Sequence, residues 1–490
     1  MAIEWSGLSP ELLLRLDRGR AEPLRSQLEA GLREAIRNGR LQGGERLPSS
    51  RELARELSVS RGLVQECYNQ LLAEGYLTSR TGSATRVAPA PSSPAGPSSP
   101  AAPPSPAGPS SPAGPSSPAA PAVPPRLIAD FRAGVPDLAS FPRSDWVWAT
   151  REACRTVATA DLGYGDPRGS VVLRQVVAGY LRRVRAAAAD PGHIVVCTGY
   201  AQGLNLVLRV LTGLGVRCAG LEDPGHGDPA ESDTTRATQA AGMGVVQVPV
   251  DGDGLDVTAL EATGARVVVV TPAHQSPTGV VLAAKRRHAL LAWAARNDGY
   301  VIEDDYDSEF RYDREPVGVL QGLAPDRVFA IGTVSKSLAP TVRLGWVLVP
   351  PALAGAVAAE KRVADRGSSG LDQLIVAALL ESGRYDRHLR HMRALYARRR
   401  GVLIDALGRH APGVRLTGLA AGFHAVAHLP PAADEAAVVA AALERSVGLY
   451  GMAPQRAAGA APPQLVLGFG NVGERAVQAG IAAVADLLRG

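Results

Sequence analysis

A chain of 490 residues with 46% hydrophobic content has room for two or three domains and a sizeable core, which excludes a wholly disordered protein. A net charge of +5 permits a polyanionic partner without demanding one. There is no apolar run near the ~20 residues of a membrane span, no signal peptide, and no paired spacing among Cys67, Cys154, Cys197 and Cys218, so a cytoplasmic protein without a zinc site or disulfide framework is expected.

In the amino-terminal ninety residues, Leu24, Leu28, Leu32 and Ile36 recur at four-residue spacing and predict a helix within Pro23 to Arg40. The next stretch predicts a helix capped by Ser49 or Ser50, a short turn holding Val59, and a second helix capped by Ser60, which is a helix-turn-helix arrangement. Tyr76 to Val87, turning at Gly82, reads as a two-stranded wing. The motifs Leu47-Pro-Ser-Ser-Arg-Glu-Leu-Ala54, Val59-Ser-Arg61 and Glu74-Gly-Tyr-Leu77 closely resemble the GntR-type winged helix. That resemblance implies double-stranded operator DNA as partner, with Arg51, Ser60 and Arg61 at the DNA and Arg46, Ser49, Gln65, Thr81 and Gly82 nearby. Arg61 reaches either a guanine edge or a phosphate, and both remain open. Leu63 stands where family members commonly carry threonine, so one polar contact is lost. Charge does not carry the reading: thirteen arginines less eleven acids leave residues 1–88 at 13 − 11 = +2.

From Ala88 to Pro125 the chain uses only Ala, Pro, Ser, Gly and Val, with Gly-Pro-Ser-Ser-Pro-Ala recurring from Gly96 and Gly114. Such a composition cannot bury a core, so residues 89–126 are expected to form an extended, disordered tether between residues 1–88 and residues 127–490. Glycine does not recur every third residue, so a collagen-like reading fails.

Four apolar runs in the remainder each end in polar residues. Ile194-Val-Val-Cys-Thr-Gly-Tyr-Ala-Gln-Gly203 leads into a helical pattern, and the amides of Tyr200 and Ala201 at the helix start suit a phosphate. Val267-Val-Val-Val-Thr-Pro-Ala-His-Gln-Ser-Pro-Thr-Gly279 ends in a Pro-Thr-Gly turn. Tyr300-Val-Ile302 feeds Glu303-Asp-Asp-Tyr-Asp-Ser-Glu-Phe310, in which Asp304 and Tyr306, two apart at a strand end, face one site. Val328-Phe-Ala-Ile331 precedes Thr333-Val-Ser-Lys-Ser-Leu-Ala-Pro-Thr-Val-Arg343. A lysine so placed, beside hydroxyls and a cation that lowers its pKa, suits a Schiff base with pyridoxal 5′-phosphate (PLP). A carboxylate for the pyridine nitrogen and a phenol for the ring hydroxyl complete that requirement. Apolar strands delivering polar groups at one edge fit an α/β sheet with its ligand at the carboxyl ends.

Over roughly residues 127–490 these segments resemble the fold type I PLP enzymes, the aspartate aminotransferase superfamily, which implies a large domain with a mainly parallel sheet and a small α/β domain. The resemblance implies Lys336 as the cofactor lysine, Asp304 on the pyridine nitrogen, Tyr306 and Ser276 at the ring hydroxyl, and Thr198, Gly199, Tyr200, Ala201, Thr333, Ser335 and Arg343 around the phosphate. His226 falls where that superfamily places an aromatic ring on the cofactor. A winged helix joined to such a domain is similar to the MocR-type regulators of the GntR family, as are Gly383–Arg400 and Tyr164–Gly169. Read without the family, these two are an exposed basic helix and an ordinary turn. The family implies a homodimer, head to tail, with each winged helix against its partner's PLP domain.

Two departures bear on function. Val466 replaces the arginine that clamps a substrate carboxylate two positions before Gly468, and losing such a pair costs about 2–5 kcal/mol. Ser276 replaces the asparagine that usually precedes Pro-Thr-Gly. The expectation is a PLP-dependent transcription regulator without metabolic turnover, its effector PLP itself, as in the PdxR-like subgroup, or an amino compound held by another cation such as Arg132 or Arg168. The competing reading is a working aminotransferase with an appended DNA-binding domain.

Overall fold

The computed structural model of the chain describes residues 16–19, 22–74, 76–78, 85–88, 127–312, 318–457 and 461–490. The tether expected over residues 89–126 and the wing positions Thr81 and Gly82 lie outside the described residues.

The leucine spacing near the amino terminus forms the helix Leu24–Arg37, which turns Leu28, Leu32 and Ala35 inward. Ser49, not Ser50, caps the helix Ser50–Glu56: its hydroxyl accepts from the Glu52 amide while Glu52 reaches back to the Ser49 amide. The helix Arg61–Ala73 starts after Ser60, whose hydroxyl accepts from the Leu63 amide at 3.2 Å. Leu53, Val64, Cys67, Tyr68 and Leu71 close a core separate from the rest, covered by the antiparallel pair Leu77–Thr78 and Arg86–Val87. This is a winged helix-turn-helix.

The larger part is built on an eight-stranded sheet in the order Ile194–Cys197, Gly345–Leu348, Val328–Thr333, Tyr300–Asp305, Val267–Val270, Cys218–Asp223, Gly244–Asp251 and Gly254–Leu255. The four pairings from Val328–Thr333 to Gly244–Asp251 are parallel, and Gly345–Leu348 is antiparallel to both neighbours. Val267–Val270 is buried along its whole length because helices cover both faces. Val267 and Val269 join the same apolar cluster as Leu204 and Leu208, while Val268 and Val270 join another with Leu290 and Trp293. Because the run carries no polar face, every residue can be valine.

A smaller antiparallel sheet, Arg415–Thr417, His424–His428 and Gln464–Gly468, lies in the carboxy-terminal part with the helices Arg384–His410 and Glu474–Ala483. The basic run from Gly383 is therefore not an exposed helix: Tyr385, Asp386, His388, Leu389, Met392, Tyr396 and Arg399 are buried. Its inward charge is paired, with Arg399 donating to the Asp137 carboxylate at 2.6 Å, and Tyr396 fits between Phe310 and Phe423. The turn at Tyr164–Gly169 is built as well, since the Asp166 carboxylate takes both Arg168 and Arg174. Gly169 has φ +98, and a Cβ there would meet Val196 and Gln373. This is a fold type I aminotransferase fold.

Candidate functional site

The carboxyl ends of Ile194–Cys197, Cys218–Asp223, Val267–Val270, Tyr300–Asp305 and Val328–Thr333 meet along one edge, at a cavity of about 1250 Å³. Parallel strands deliver their following residues to the same side, which is why motifs 140 positions apart in sequence can meet. Tyr200, Ala201, His226, Ser276, Asp304, Tyr306, Thr333, Ser335, Lys336 and Arg343 all line it. Thr198 and Gly199 stand behind, reached through Arg343.

Lys336 donates from Nζ to the Gly134 carbonyl at 2.6 Å. Burial holds its pKa below the usual lysine value, against the pull of Asp304 and Asp307. The next residue is braced by the long basic helix: Tyr385 donates to the Ser337 hydroxyl at 2.7 Å, and His388 Nε2 to its carbonyl at 2.8 Å. The MocR-like segment thus holds the lysine loop.

Asp304 lies opposite in character. Its Oδ1 is out of solvent and has no hydrogen-bond partner among the described residues. Burial, then the neighbouring Asp305, pushes its carboxyl well above the usual range. The acidic run is not a solvated turn, for Glu303 and Asp307 are each only 1% exposed. The phenol of Tyr306 donates to the His274 carbonyl at 3.1 Å, and His274 Nδ1 lies 2.9 Å from Asp307 Oδ2.

At the other end of the cavity Gly199, at φ +93, opens the helix Tyr200–Gly213, which has no side-chain cap. Its first amides are therefore available to an anion. Arg343, itself left-handed at φ +50, donates from Nη2 to the Thr198 carbonyl at 2.7 Å, and Nη1 lies 3.4 Å from where a Gly199 Cβ would sit. Thr333 donates to the Ser335 hydroxyl at 2.8 Å. His226 Nδ1 is 3.5 Å from the Ser276 hydroxyl, and burial lowers its pKa.

Several pocket residues escaped the sequence reading. Glu222 lines the cavity with its pKa raised by burial to about 7, although it accepts from the Thr271 amide at 3.1 Å and the Thr271 hydroxyl at 2.7 Å. His274, Asp307 and His424 gather behind Tyr306, with one ligand-type atom each inside 4.8 Å. Asp307 is engaged by His274, while His424 Nε2 donates to the Pro277 carbonyl at 3.1 Å and its ring centroid lies 4.5 Å from that of His274. The motif Pro272-Ala-His-Gln275 was visible, but nothing local said where its histidine would point.

Val466 is 1% exposed and packs with Val426, Met452 and Ala133, so the clamp position is filled by apolar contacts. Arg168 is spent on Asp166 through Nε and Nη2 and does not line the cavity. Arg132 does, with its guanidinium over the Tyr450 ring at 5.3 Å. In the winged helix Arg51, Ser60, Arg61 and Gln65 are exposed on the two paired helices, while the hydroxyls of Ser49 and Ser60 are used in capping.

A pocket at the carboxyl ends of this sheet that holds a half-buried lysine, a carboxylate with an unpartnered oxygen and an uncapped helix start belongs to an aminotransferase-like domain coupled to a DNA-binding winged helix. Residues 130–456 match the family model of aminotransferase class I and II, a PLP-dependent family, and residues 24–87 that of bacterial regulatory proteins of the gntR family. The chain is 33% identical to the HTH-type pyridoxine biosynthesis transcriptional regulator PdxR of Corynebacterium glutamicum, covering 94% of this chain and 95% of that one. It is likewise 33% identical to the probable rhizopine catabolism regulatory protein MocR of Rhizobium meliloti, over 96% and 94%. Among solved structures, the kynurenine aminotransferase of Pyrococcus horikoshii superposes with a TM-score of 0.67 at 25% identity, covering 74% of this chain and 91% of that one. The chain belongs to the MocR/PdxR-type HTH transcriptional regulators of the GntR family. No described helix is long and apolar enough to cross a membrane.

Proposed function

We propose that operator affinity in this regulator is set by occupancy of the pocket by PLP. The observation that carries this is Asp304, a buried carboxylate with an unpartnered oxygen in the wall of a cavity that also holds Lys336. Ionising this carboxyl without a partner costs stability, and a protonated pyridine nitrogen would supply the partner that the described residues do not. When bound, PLP offers an aldehyde to an amine and an electron-withdrawing ring to whatever the amine carries.

In this reading Lys336 would hold the cofactor covalently, burial favouring its uncharged amine. Asp304 holds a proton at the ring nitrogen, and Tyr306, steadied by His274, hydrogen-bonds the ring hydroxyl with Ser276 beside it. Arg343, Ser335, Thr333 and the amides of Tyr200 and Ala201 bind the phosphate, backed by Thr198 and Gly199. His226 covers the ring. Arg51 and Arg61 contact operator DNA, with Arg46, Ser49, Ser60 and Gln65 beside them. Exposed Leu162, Tyr164 and Val363, at 61%, 82% and 80%, supply an apolar surface for a homodimer.

PLP is preferred over an α-amino acid as the signal because the carboxylate-clamp position is Val466, an apolar side chain in the cavity wall packed with Val426 and Met452. The relative named for pyridoxine biosynthesis supports the same choice, and control of vitamin B6 synthesis follows from it. Arg132 at the cavity keeps the second reading alive, an amino compound with an acidic group. Titrating PLP into cofactor-free protein on its own promoter DNA, then amino acids into the loaded protein, tests both. PLP is expected to change operator affinity. An unchanged affinity with PLP, together with a response to one amino acid, would overturn the PLP reading in favour of the second.

A further inference from the structure

The last turn of the helix Val171–Arg185 carries three arginines, and each is committed to a different part of the molecule. Arg182 Nη2 lies 3.6 Å from the carboxylate of Glu45 in the winged helix, and Nη1 donates to the Ala189 carbonyl at 2.9 Å. Arg183 meets Asp386 at 3.3 Å, at the start of the long basic helix that braces Ser337. Arg185 forks onto both oxygens of Asp305, at 2.8 and 2.7 Å, one residue from Asp304. All three arginine side chains are less than 10% exposed.

Glu45 is the unusual member. It belongs to the winged helix and is 5% exposed. Its carboxylate faces Arg182 and Arg183 of the effector domain. Its backbone also carries the wing: the Glu45 carbonyl accepts from the Val87 amide at 2.9 Å, and the Gly44 amide donates to the Val87 carbonyl at 2.8 Å. Whatever moves Glu45 moves the wing strand with it. Burial raises the carboxyl's pKa while Arg183 and Arg182 oppose the shift, so the acid is held at this place by cations and not by water.

We infer that the arginine-bearing end of the helix Val171–Arg185 is the docking surface for the winged helix, with Glu45 the residue it grips, and that pocket occupancy reaches the wing through Asp304, Asp305 and Arg185. The inference rests on the pocket reading proposed above. A cation placed on Asp304 changes the field on Asp305, and the same helical turn that answers to Asp305 through Arg185 holds Glu45 through Arg182. A rigid turn with partners on both sides is a two-ended contact of the kind that coupling requires.

The test uses the full-length protein and reads the ratio of operator affinities with and without PLP, by fluorescence anisotropy. Effects of position 45 on DNA affinity itself cancel in that ratio. Glu45→Gln and Arg182→Gln are each expected to shrink the ratio by about fivefold or more, with the cofactor spectrum unchanged, and the exchanged pair Glu45→Arg with Arg182→Glu to recover part of it. If both single variants keep the wild-type ratio, the inference fails. A wild type with no ratio at all would instead sink the pocket reading. The docking surface is then decided by a short thiol cross-linker between Glu45→Cys and Arg182→Cys, in a chain whose exposed Cys154 is changed to Ser. A product within one chain or between two supports the surface, and no product overturns it.

Discussion

Glu222→Gln should stabilise the PLP-free protein at pH 8 and leave it almost unchanged at pH 5. Glu222 lines the cavity, and burial raises its pKa from 4.5 to about 7. A carboxyl raised on folding contributes stability fully below its unfolded pKa, and that contribution disappears as pH rises through the folded one. The window is therefore pH 4.5 to 7. At about 1.4 kcal/mol per pH unit, 7 − 4.5 = 2.5 units correspond to roughly 3.5 kcal/mol, and contact with an open cavity reduces this to about 2. Glutamine keeps the shape and can present its oxygen to the Thr271 amide and hydroxyl, which now donate to Glu222. Urea unfolding of wild type and variant at the two pH values measures the difference. Glu303 and Glu309, also raised, to about 7 and about 8, and the lowered His226, His388 and His424 act in both proteins and cancel. A stability difference that is the same at pH 5 and pH 8 would refute the reasoning.

Asp304→Asn should weaken PLP binding by the worth of a charge-assisted hydrogen bond, about 1.5–3 kcal/mol or on the order of 10- to 150-fold, and an unchanged affinity by fluorescence titration would remove Asp304 from the ring nitrogen. Lys336→Ala should abolish the visible absorption of the loaded protein, since no other amine is placed to bond the aldehyde; a spectrum like the wild type's contradicts the lysine assignment. Arg51→Ala and Arg61→Ala should each weaken operator binding by about 1–3 kcal/mol at constant PLP content. If DNA binding falls only when PLP is lost as well, the winged-helix contacts are misplaced.

Much of the architecture was legible in local signals. Ser49 and Ser60 cap helices because their hydroxyls bond amides three residues on, and such spacing is readable from a string of letters. All-apolar runs such as Val267–Val270 announce strands buried on both faces, and the polar residues that follow must collect at one sheet edge. That is why Asp304, Lys336 and Arg343 could be grouped while far apart in sequence. Tertiary structure alone decided what had no local period or cap. It packed Val466 against Val426 and Met452, spent Arg168 on Asp166, and turned the Tyr385, Leu389, Met392 and Tyr396 face of Arg384–His410 inward. It placed His274 against Asp307, and Glu45 against Arg182 across two domains. A charged side chain's role depends on which opposite charge it meets and how much water is excluded there, and both are properties of packing between segments that sequence spacing does not encode.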